Sequence, residues 1–407
     1  MSKKTLIVGG VAGGASTAAR LRRLDENAEI ILFEKGGHIS FANCGLPYYI
    51  GGIIPTRKQL LIIEPELMKT RYRIDVRVFH EVLSIDKDQK TIKVKDLQTG
   101  SIYFENYDKL VLATGSSPFV PPIEGIRENG IFTLWNMEDT DKIKSFLSIH
   151  KPKRAIVAGG GFIGLEMAEN LKESGLDVTL IELQSHVMPA LDADISKIIH
   201  KELSEHNVKL MLNKRLISCQ KEKNSTSLIA ALDTGESLET DMLILSLGVR
   251  PNSQLAYDAG LTLNKKGGIV VTSDMRTNDP DIFAVGDVAE VTHYISGEKT
   301  MVPLAGPANK QGRICADNIA GISSKYGGSM ASSIVKIFDL TVASTGLNEK
   351  QLKNMEKLRG TDYFIAKTHP FSHADYYPHA SQMTIKVLYL SDGTIVGAAA
   401  AGYEGEG

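Results

Sequence analysis

The stretch SFANCGLPYY, residues 40–49, holds one cysteine, Cys44, and no other cysteine lies near it in the sequence. The thiolate is the reactive form of cysteine, and a lone thiolate can form a mixed disulfide with a small thiol, a sulfenic acid or a persulfide. Each of these products can accept two electrons. The alternative is a buried structural cysteine, which behaves as a small hydrophobe. Redox chemistry at Cys44 therefore requires that the rest of the chain supply electrons.

Pro47 favours a helix that begins just after Cys44, because proline suits the first turn of a helix. The N–H groups at such a helix start favour a negative charge. We therefore expect the pKa of the Cys44 thiol to be lowered. Cys219 lies in a segment that looks exposed and Cys315 lies on an amphipathic helix; both are expected to be inert.

A nucleotide-binding pattern precedes Cys44. A short apolar strand at residues 5–8 leads into the turn GGVAGG, residues 9–14, and an amphipathic helix follows. A second apolar strand ends at Glu34. This order of strand, glycine turn, helix, strand and acid is typical of a dinucleotide site, in which the acid accepts hydrogen bonds from a ribose. Val11 departs from the strict GxGxxG pattern at its middle position.

The same order recurs in the middle of the chain. A strand at residues 154–158 leads into GGGFIG, residues 159–164, which satisfies GxGxxG in full, and the next strand ends at Glu182. A carboxylate there suits a free ribose 2′-hydroxyl and repels a 2′-phosphate, so this unit favours NADH and leaves NADPH as the alternative. Two such units predict FAD and NADH, with hydride passing from nicotinamide to flavin.

Three further strand ends fit a flavin site. LVLATG, residues 110–115, is a buried strand with a tight turn, and LILSLG, residues 243–248, repeats it. In TNDPDIFAVGDV a strand ends at Gly286 and Asp287. The carboxylate of Asp287 is placed to hold the ribityl hydroxyls of a flavin, although an aspartate at such a position is more often an N-cap.

The composition is that of a globular protein with two or three domains, since 43% of its 407 residues are hydrophobic. A net charge of −2 argues against nucleic-acid or membrane-surface binding through bulk charge. No apolar run has the length of a membrane span, and the run near the N-terminus is too short for a signal peptide. Three widely spaced cysteines form no disulfide framework, which indicates a cytoplasmic compartment. The histidines and cysteines lack metal-site spacing.

Together these motifs make the chain resemble the two-dinucleotide flavin disulfide reductases. The ATG turn, the second GxGxxG and the GD pair are shared by that superfamily. GGVAGGAS and SFANCGLPYYIGG are similar to its single-cysteine branch, in particular the coenzyme A disulfide reductases. VPLAGPANKQGR and HADYYP are most similar to longer members, which carry a rhodanese domain and reduce CoA persulfides or polysulfides with NADH. The CxxxxC pair of other members is absent, because position 49 is a tyrosine.

The resemblance implies an α/β fold with two Rossmann-like dinucleotide-binding domains, as in glutathione reductase, and a C-terminal α+β dimerisation domain. The expected domains are 1–116 and 245–322 for FAD, 117–244 for NAD(P)H and 323–407 for the interface of a homodimer. In the family the interface domain continues beyond the position matching Gly407, with a second tyrosine and, in longer members, the rhodanese domain. We therefore expect an incomplete interface domain here, on which dimer formation and full activity depend.

The resemblance also implies roles for individual residues. Cys44 would lie against the flavin ring, and Tyr377, with Tyr376 close behind, would act from the partner subunit as a general acid. The dinucleotides are expected to contact Gly9, Val11, Ala12, Gly13, Gly14, Glu34, Lys35, Ala113, Thr114, Gly115, Gly159, Gly161, Phe162, Ile163, Gly164, Glu182, Gly248, Gly286, Asp287, Pro303 and Ala305. His379 stands where relatives often have glycine, which affects the local geometry beside the tyrosines.

CoA carries phosphate groups, so a basic approach to Cys44 is expected. Arg20 and Arg23 are three residues apart on the first helix and share a face, whereas Arg22 is expected on a solvated face. The residues expected to bind CoA are Ser16, Arg20, Arg23, Ser40, Asn43, Arg71, Arg73 and Asn309.

The expected activity is NADH-dependent reduction of CoA disulfide, CoA persulfide or polysulfide through a mixed disulfide of Cys44 with CoA. Two alternatives stay open. One is an NADH oxidase or peroxidase that uses a Cys44 sulfenic acid, and the Asn43 and Leu46-Pro47 context fits it less well. The other is a redox-inactive flavin-binding or sensing protein.

Overall fold

Each of the two glycine-rich turns follows the central strand of its own five-stranded parallel sheet. The computed structural model describes residues 3–221, 227–355 and 362–403. The chain divides into two units. The first consists of Met1–Ala42, Arg57–Ser117 and Val249–Ser329, and the second of Asn43–Thr56, Pro118–Gly248 and Met330–Gly407. Within the described ranges, no helix has both the length and the apolar character to cross a membrane.

The helices are α1 Ala12–Leu24, α2 Leu46–Gly51, α3 Pro65–Tyr72, α4 Met137–His150, α5 Phe162–Glu173, α6 Ala193–Glu205, α7 Gln254–Asp258, α8 Ala305–Ile319 and α9 Glu349–Asn354. The strands are β1 Lys4–Val8, β2 Glu29–Glu34, β3 Asp75–Val78, β4 His80–Asp86, β5 Thr91–Asp96, β6 Ile102–Asn106, β7 Lys109–Leu112, β8 Ser116–Pro118, β9 Ile131–Thr133, β10 Arg154–Ala158, β11 Asp177–Glu182, β12 Lys209–Leu212, β13 Leu216–Lys221, β14 Leu228–Leu232, β15 Ser237–Thr240, β16 Met242–Leu245, β17 Val249–Pro251, β18 Ile282–Ala284, β19 Val291–Thr292, β20 Lys299–Thr300, β21 Ser333–Ile337, β22 Leu340–Gly346, β23 Tyr363–Thr368, β24 Met383–Leu390 and β25 Ile395–Tyr403.

The first unit contains the parallel sheet β18-β7-β1-β2-β3. β1 and β2 pair from Lys4 opposite Glu29 to Val8 opposite Phe33. Their interior side chains, such as Leu6, are fully buried, as expected of parallel strands that are covered on both faces. The same unit holds the antiparallel sheet β4-β5-β6. The apolar runs read from the sequence thus form the centre of this unit.

The second unit repeats this arrangement in the parallel sheet β12-β11-β10-β16-β9. β10 and β11 pair from Arg154 opposite Asp177 to Ala158 opposite Ile181. An antiparallel sheet, β13-β14-β15, contributes to the same core, in which Leu228 of β14 is fully buried. Both parallel sheets therefore present a strand-turn-helix edge, which is where an open α/β sheet binds ligands.

A third, antiparallel sheet, β21-β22-β25-β24-β23, lies in the second unit. Lys386 of β24 is buried and pairs with Asp192 at 2.9 Å, with Asp194 at 3.1 Å and with Glu349 at 2.5 Å. Burial opposes the charge of Lys386, but hydrogen bonds to the three carboxylates raise its pKa overall. The paired cation thus joins the C-terminal sheet to the start of α6 and to α9.

This architecture confirms the predicted α/β class, with two dinucleotide-type parallel sheets and a C-terminal α+β region. The predicted domain boundaries stay a prediction. Segment Asn43–Thr56, which carries Cys44, belongs with the second unit, although the residues on both sides of it belong with the first. The Cys44 segment is therefore positioned by the elements around the second glycine turn.

Arg22 is buried, so the expectation of a solvated side chain was wrong. Its guanidinium donates five hydrogen bonds of 2.7–3.2 Å to backbone carbonyls. The acceptors are Asp25, Glu26, Ala28, Tyr72 and Arg73. This one side chain thus joins the end of α1 to the end of α3. Helical periodicity cannot show this, because two of the acceptors lie far away in the sequence.

The three cysteines differ in exposure. Cys44 is exposed, whereas Cys219 and Cys315 are buried. The expectation that Cys219 lies in an exposed segment was wrong, because β13 packs it into the core of the second unit. Cys315 lies on α8, as expected, and burial raises its pKa.

Replacing Arg22 by lysine should destabilise the first unit. An ammonium group cannot reach five carbonyls arranged around a planar fork, and buried carbonyls left without donors cost free energy. We expect Arg22→Lys to lower the free energy of unfolding by roughly 2 to 4 kcal/mol. The exposed neighbour Arg23 provides the matched control. Arg23→Lys should change the free energy of unfolding by less than about 0.5 kcal/mol. Equal thermal midpoints for the two variants would contradict this role.

Candidate active site

The first glycine turn depends on the absence of side chains at two positions. Gly9 has a φ of +103°, in the left-handed region, and a Cβ there would overlap the carbonyl oxygen of Ala113. A Cβ on Gly14 would overlap the carbonyl oxygen of Gly9. Glycine is therefore required where β1 turns into α1, and the start of α1 is left open for a phosphate.

The second glycine turn has the same construction. Gly159 has a φ of +104°, and a Cβ on Gly164 would overlap its carbonyl oxygen. Ser246, at the end of β16, donates its hydroxyl to the carbonyls of Ala158 and Gly159, both at 2.9 Å. Sequence reasoning missed Ser246 as a support of this turn, although it lies within the LILSLG motif.

Val11 occupies the position of the middle glycine of the pattern, and the structure shows why a side chain fits there. Val11 precedes α1 with a φ of −91°, and Gly161 precedes α5 with a φ of −82°. Among the described residues, no atom lies within 4 Å of a Cβ added to Gly161. This position therefore demands neither a left-handed backbone nor close packing. Phe162 and Ile163 follow as the first residues of α5.

The carboxylate of Glu34 is hydrogen-bonded to the first glycine turn. It accepts hydrogen bonds from the backbone N–H of Gly10 at 2.8 Å and from that of Gly36 at 2.8 Å. These two hydrogen bonds hold the carboxylate directly beside the first glycine turn, where a ribose hydroxyl would meet an acceptor.

Glu182 repeats this geometry in the second unit. It accepts from the N–H of Gly160 at 2.7 Å and from that of Gln184 at 2.8 Å. Each acid thus holds its own glycine turn in place before any ligand binds. Sequence spacing predicted an acid at the strand end, but it did not predict this contact with the turn.

Asp287 lies half-buried beside the first sheet and accepts a hydrogen bond from the hydroxyl of Ser116 at 2.7 Å. Burial raises the pKa of its carboxyl group, and the Ser116 hydrogen bond opposes this shift. The backbone N–H of Gly286 donates to the Gln311 side chain at 2.7 Å. Sequence reasoning missed both residues, although Ser116 directly follows the LVLATG motif and Gln311 lies within VPLAGPANKQGR.

The ATG turn is closed by Asn252. Its backbone N–H donates to the carbonyl of Gly115 at 2.9 Å, and its side-chain amide donates to the carbonyl of Thr114 at 2.9 Å. The hydroxyl of Thr114 in turn donates to the Asn252 carbonyl at 2.7 Å. Asn252 was not among the predicted site residues.

The remaining predicted dinucleotide contacts lie at varied places. Lys35 is exposed and pairs with Glu81 at 2.7 Å. Pro303 is exposed just before α8, and Ala305 is the first residue of that helix. Gly248, in the second unit, has a φ of +90°. Their roles stay predictions.

Three of the predicted CoA-binding residues meet where α1 packs against α8. The hydroxyl of Ser16 donates to the Asn309 side chain at 2.9 Å. Arg20 pairs with Asp317 at 2.8 Å, so part of its charge is already balanced. A Cβ on Gly312 would crowd the carbonyl of Gly13, which explains how closely the two helices approach.

The other predicted CoA-binding residues of the first unit are spread more widely. Arg23 is exposed on α1, and Arg71 and Arg73 are exposed at the end of α3. Ser40 has a φ of +44°, and its N–H donates to the carbonyl of Gly10 at 3.0 Å. Ser40 is thus held close to the first glycine turn.

Cys44 lies in a 3₁₀ turn at residues 43–45, immediately before α2. Pro47 occupies the first turn of α2, which confirms the predicted helix start. The side-chain amide of Asn43 donates to the carbonyl of Trp135 at 3.3 Å.

Two other helices hold α2. Lys144 of α4 donates to the carbonyls of Tyr49 at 2.8 Å and Ile50 at 3.1 Å, and its ammonium lies 4.9 Å from the centre of the Tyr49 ring. A Cβ on Gly51 would overlap the side-chain oxygen of Asn170 in α5. The close approach of α2 to α5 therefore requires glycine at position 51.

The pKa of the Cys44 thiol is raised, so the expectation of a lowered pKa was wrong. The protein atoms packed against one side of the thiol disfavour the thiolate, and the carboxylate of Glu166 adds repulsion. The start of α2, a helix of only six residues, does not outweigh these effects.

Glu166 is a site residue that sequence reasoning missed. It lies half-buried in α5, two residues after the second glycine turn. Burial, and next the nearby Glu169, raise its pKa to about 7. Burial and Glu166 also raise the pKa of Tyr48. The available signal was an acid two residues after GxGxxG, in the apolar first turns of α5.

The two predicted tyrosines lie in an exposed loop, with 88% of Tyr376 and 66% of Tyr377 accessible. The ring of His373 meets the Tyr377 ring edge-on at 5.7 Å, and its Nε2 donates to the carbonyl of Pro378 at 3.0 Å. His379 has a φ of +68°, a conformation that favours glycine.

A cluster outside the predicted site joins α6 to the C-terminal sheet. Glu202, His206 and Asp339 bring their side-chain ligand atoms within 4.8 Å of one another. The Tyr403 hydroxyl donates to one oxygen of Glu202 at 2.9 Å, and His206 Nε2 lies 3.3 Å from the other. Both oxygens of the buried carboxylate thus have protein donors, and the cluster is explained as a structural contact.

Comparison with known proteins supports the family resemblance that the glycine turns and the Cys44 segment indicate. The sequence profile of the family described as pyridine nucleotide-disulphide oxidoreductase matches residues 3–312. A protein named coenzyme A disulfide reductase, from Staphylococcus haemolyticus (strain JCSC1435), is 36% identical over 405 residues. That alignment covers 99% of this chain and 89% of the relative.

Two solved structures are also similar. One is reduced CoADR-RHD of Bacillus anthracis, with 47% identity and a TM-score of 0.95, covering 100% of this chain and 72% of that one. The other is an NAD-dependent persulfide reductase from A. fulgidus, with 36% identity and a TM-score of 0.93, covering 98% of this chain and 74% of that one.

Alanine substitutions at two glycines of the second turn should distinguish a position where a methyl group clashes from one where it has space. We expect Gly164→Ala to weaken NADH binding by at least about tenfold, because its methyl group would push α5 away from the Gly159 carbonyl. Gly161→Ala is the matched control for folding, since a methyl group there has space and the backbone is ordinary. NADH titration and thermal unfolding of both variants test this. Equal unfolding midpoints for the two variants, with Gly164→Ala binding NADH as the wild type does, would show that the Gly164 contact does not matter.

Proposed function

This chain belongs to the pyridine nucleotide-disulphide oxidoreductase family, and we propose that it is an NADH-dependent flavoprotein that reduces CoA disulfide or CoA persulfide through Cys44. The observation that carries the proposal is that Cys44 is the exposed cysteine of the three and directly precedes α2, which packs against the helix of the second glycine turn. The names of the similar proteins, a coenzyme A disulfide reductase and a persulfide reductase, support this substrate class.

The residues present fit two dinucleotides. Each turn has a cradle that a Cβ would fill, a helix start open to a pyrophosphate, and an acid hydrogen-bonded to the turn. We assign FAD to the first unit, with Asp287 toward the ribityl chain, and NADH to the second. When bound, these cofactors supply hydride transfer and deliver two electrons to sulfur.

Cys44 performs the sulfur chemistry. Its thiolate attacks one sulfur of CoA disulfide, forms a Cys44–S–S–CoA bond and expels a CoA thiolate. Two electrons then cleave that bond and return the Cys44 thiolate and a second CoA thiolate. Each CoA thiolate takes one proton. With a CoA persulfide the thiolate attacks the outer sulfur, expels the CoA thiolate and becomes a Cys44 persulfide. Two electrons and two protons then cleave that S–S bond to the Cys44 thiol and hydrogen sulfide.

We assign CoA binding to Ser16, Arg20, Asn309 and Arg23, with Ser40, Asn43, Arg71 and Arg73 as further contacts. Arginine pairs well with the phosphate groups of CoA. Tyr377, and after it Tyr376, is the proposed proton donor across a homodimer, and its exposure leaves the hydroxyl accessible to a partner subunit. Free cysteines suit a cytoplasmic location.

Cys44 should carry CoA in the resting protein. We expect the intact mass of acid-quenched holoprotein to include a CoA adduct that dithiothreitol removes and that maps to the Cys44 peptide. Cys44→Ser should lose the adduct and NADH-dependent reduction of CoA disulfide, while Cys219→Ala should keep both.

Two results would contradict this function. Oxygenated Cys44 together with NADH-dependent oxygen consumption would indicate an NADH oxidase or peroxidase. Normal FAD binding without NADH turnover would indicate a flavin-binding or sensing protein.

Glu182 should determine the choice of coenzyme. Glutamine cannot accept from both the Gly160 and Gln184 N–H groups and does not repel a 2′-phosphate. We expect Glu182→Gln to lower the NADH-to-NADPH ratio of kcat/KM by about tenfold, which corresponds to about 1.4 kcal/mol. Glu34→Gln is the matched control and should reduce FAD retention with an unchanged ratio. An unchanged ratio in Glu182→Gln would contradict the assignment.

A further inference from the structure

We propose that Glu166 takes up a proton when Cys44 becomes a thiolate and releases it when Cys44 re-forms a disulfide. This rests on the proposed function of Cys44. It goes further because it assigns the proton that is exchanged with the Cys44 thiolate to a residue of this chain, beside the tyrosine proposed as proton donor across the dimer.

The packing of α2 against α5 places the two groups together. Gly51, at the end of α2, contacts Asn170, and Cys44 precedes the start of the same helix. The side-chain amide of Asn170 donates to the carbonyl of Glu166, one turn earlier in α5, at 2.8 Å. α2 therefore packs directly against α5, and Tyr48 of α2 is close enough to Glu166 for their charges to interact. Cys44 and Glu166 interact there as like charges.

The charged surroundings of Glu166 are few. Tyr48 faces it from α2, and Glu169 lies one turn away on α5. Lys336 of β21 pairs with Glu169 at 3.7 Å, and Lys144 of α4 is directed to the carbonyls at the end of α2. Within the described ranges, the Glu166 carboxylate itself has no ion pair. Its protonation is therefore free to respond to Cys44.

Coupling between two acids is mutual. If the charge of Glu166 raises the pKa of the thiol, then a Cys44 thiolate raises the pKa of Glu166 by the same free energy. The pKa of Glu166 is about 7 with the thiol neutral, so near neutral pH the carboxylate gains a proton when the thiolate forms.

The proton balance of the cycle then closes. Two electrons cleave Cys44–S–S–CoA into the Cys44 thiolate and a CoA thiolate, and Glu166 takes up one proton. When the Cys44 thiolate attacks the next CoA disulfide, its charge leaves with the expelled CoA thiolate. Glu166 then releases its proton, which balances that thiolate as the free thiol forms. Overall, NADH, one proton and CoA disulfide give NAD⁺ and two CoA thiols.

The test measures Cys44 reactivity in reduced, FAD-loaded protein, without CoA turnover. The rate of Cys44 alkylation by iodoacetamide is followed by peptide mass between pH 5.5 and pH 9. Below pH 6 the wild type and Glu166→Gln should react equally, because Glu166 is then neutral. Above pH 7 the variant should react about three- to tenfold faster, because the repelling carboxylate is gone.

Three controls sharpen the test. Glu166→Asp keeps the carboxylate and should follow the wild type, and Glu173→Gln, an exposed acid of the same helix, should do so too. FAD content shows whether each variant is folded. Superimposable curves for wild type and Glu166→Gln, or a constant offset at every pH, would overturn the inference. Failure of the wild type to reduce CoA disulfide would instead overturn the proposed function, whatever the alkylation curves show.

Discussion

The contact between backbone atoms at the two strand-to-helix turns is the constraint on which this structure depends. At both turns the first and last glycines lie so close to neighbouring carbonyl oxygens that any Cβ would overlap them. This closeness draws each following helix onto its sheet and directs its first N–H groups outward. In the second unit, the same helix then carries Glu166 and supports the helix next to Cys44. The need for glycine, which has no Cβ, at these positions thus helps to determine where Glu166 and the Cys44 segment lie.

The two acids at the strand ends show how each turn is prepared. Glu34 and Glu182 each accept two backbone N–H groups, one from the glycine turn and one from the residues just beyond the acid. A charged acceptor makes stronger hydrogen bonds than a neutral one, so the turn is held before a ligand arrives. Such preorganisation lowers the ordering cost of binding. Each acid therefore holds its glycine turn in place, in addition to the ribose contact that is expected of it.

The parts of the fold that could be predicted from sequence are those fixed by local rules. The strands beside the glycine turns, the helix start at Pro47 and the fold class follow from apolar runs, turn residues and spacing. Arg22 could not be predicted, because two of its carbonyl acceptors come from another helix. The pKa of the Cys44 thiol was misjudged because burial, which raises it most, and the charge of Glu166 both come from the packing of other elements. Burial of Cys219 likewise depends on which sheet covers its strand. In each case the error came from long-range packing.

Val11 shows that the three glycine positions of the GxGxxG pattern are not equally constrained. The middle position of GxGxxG is the one where the second turn leaves space and an ordinary backbone, and the first turn fills it with valine. A search that weights all three glycines equally would discard a genuine site of this kind. The packing of the protein itself therefore constrains the outer two glycines and not the middle position. The turns of distant relatives should therefore be recognised by the outer glycines and the acid that follows them.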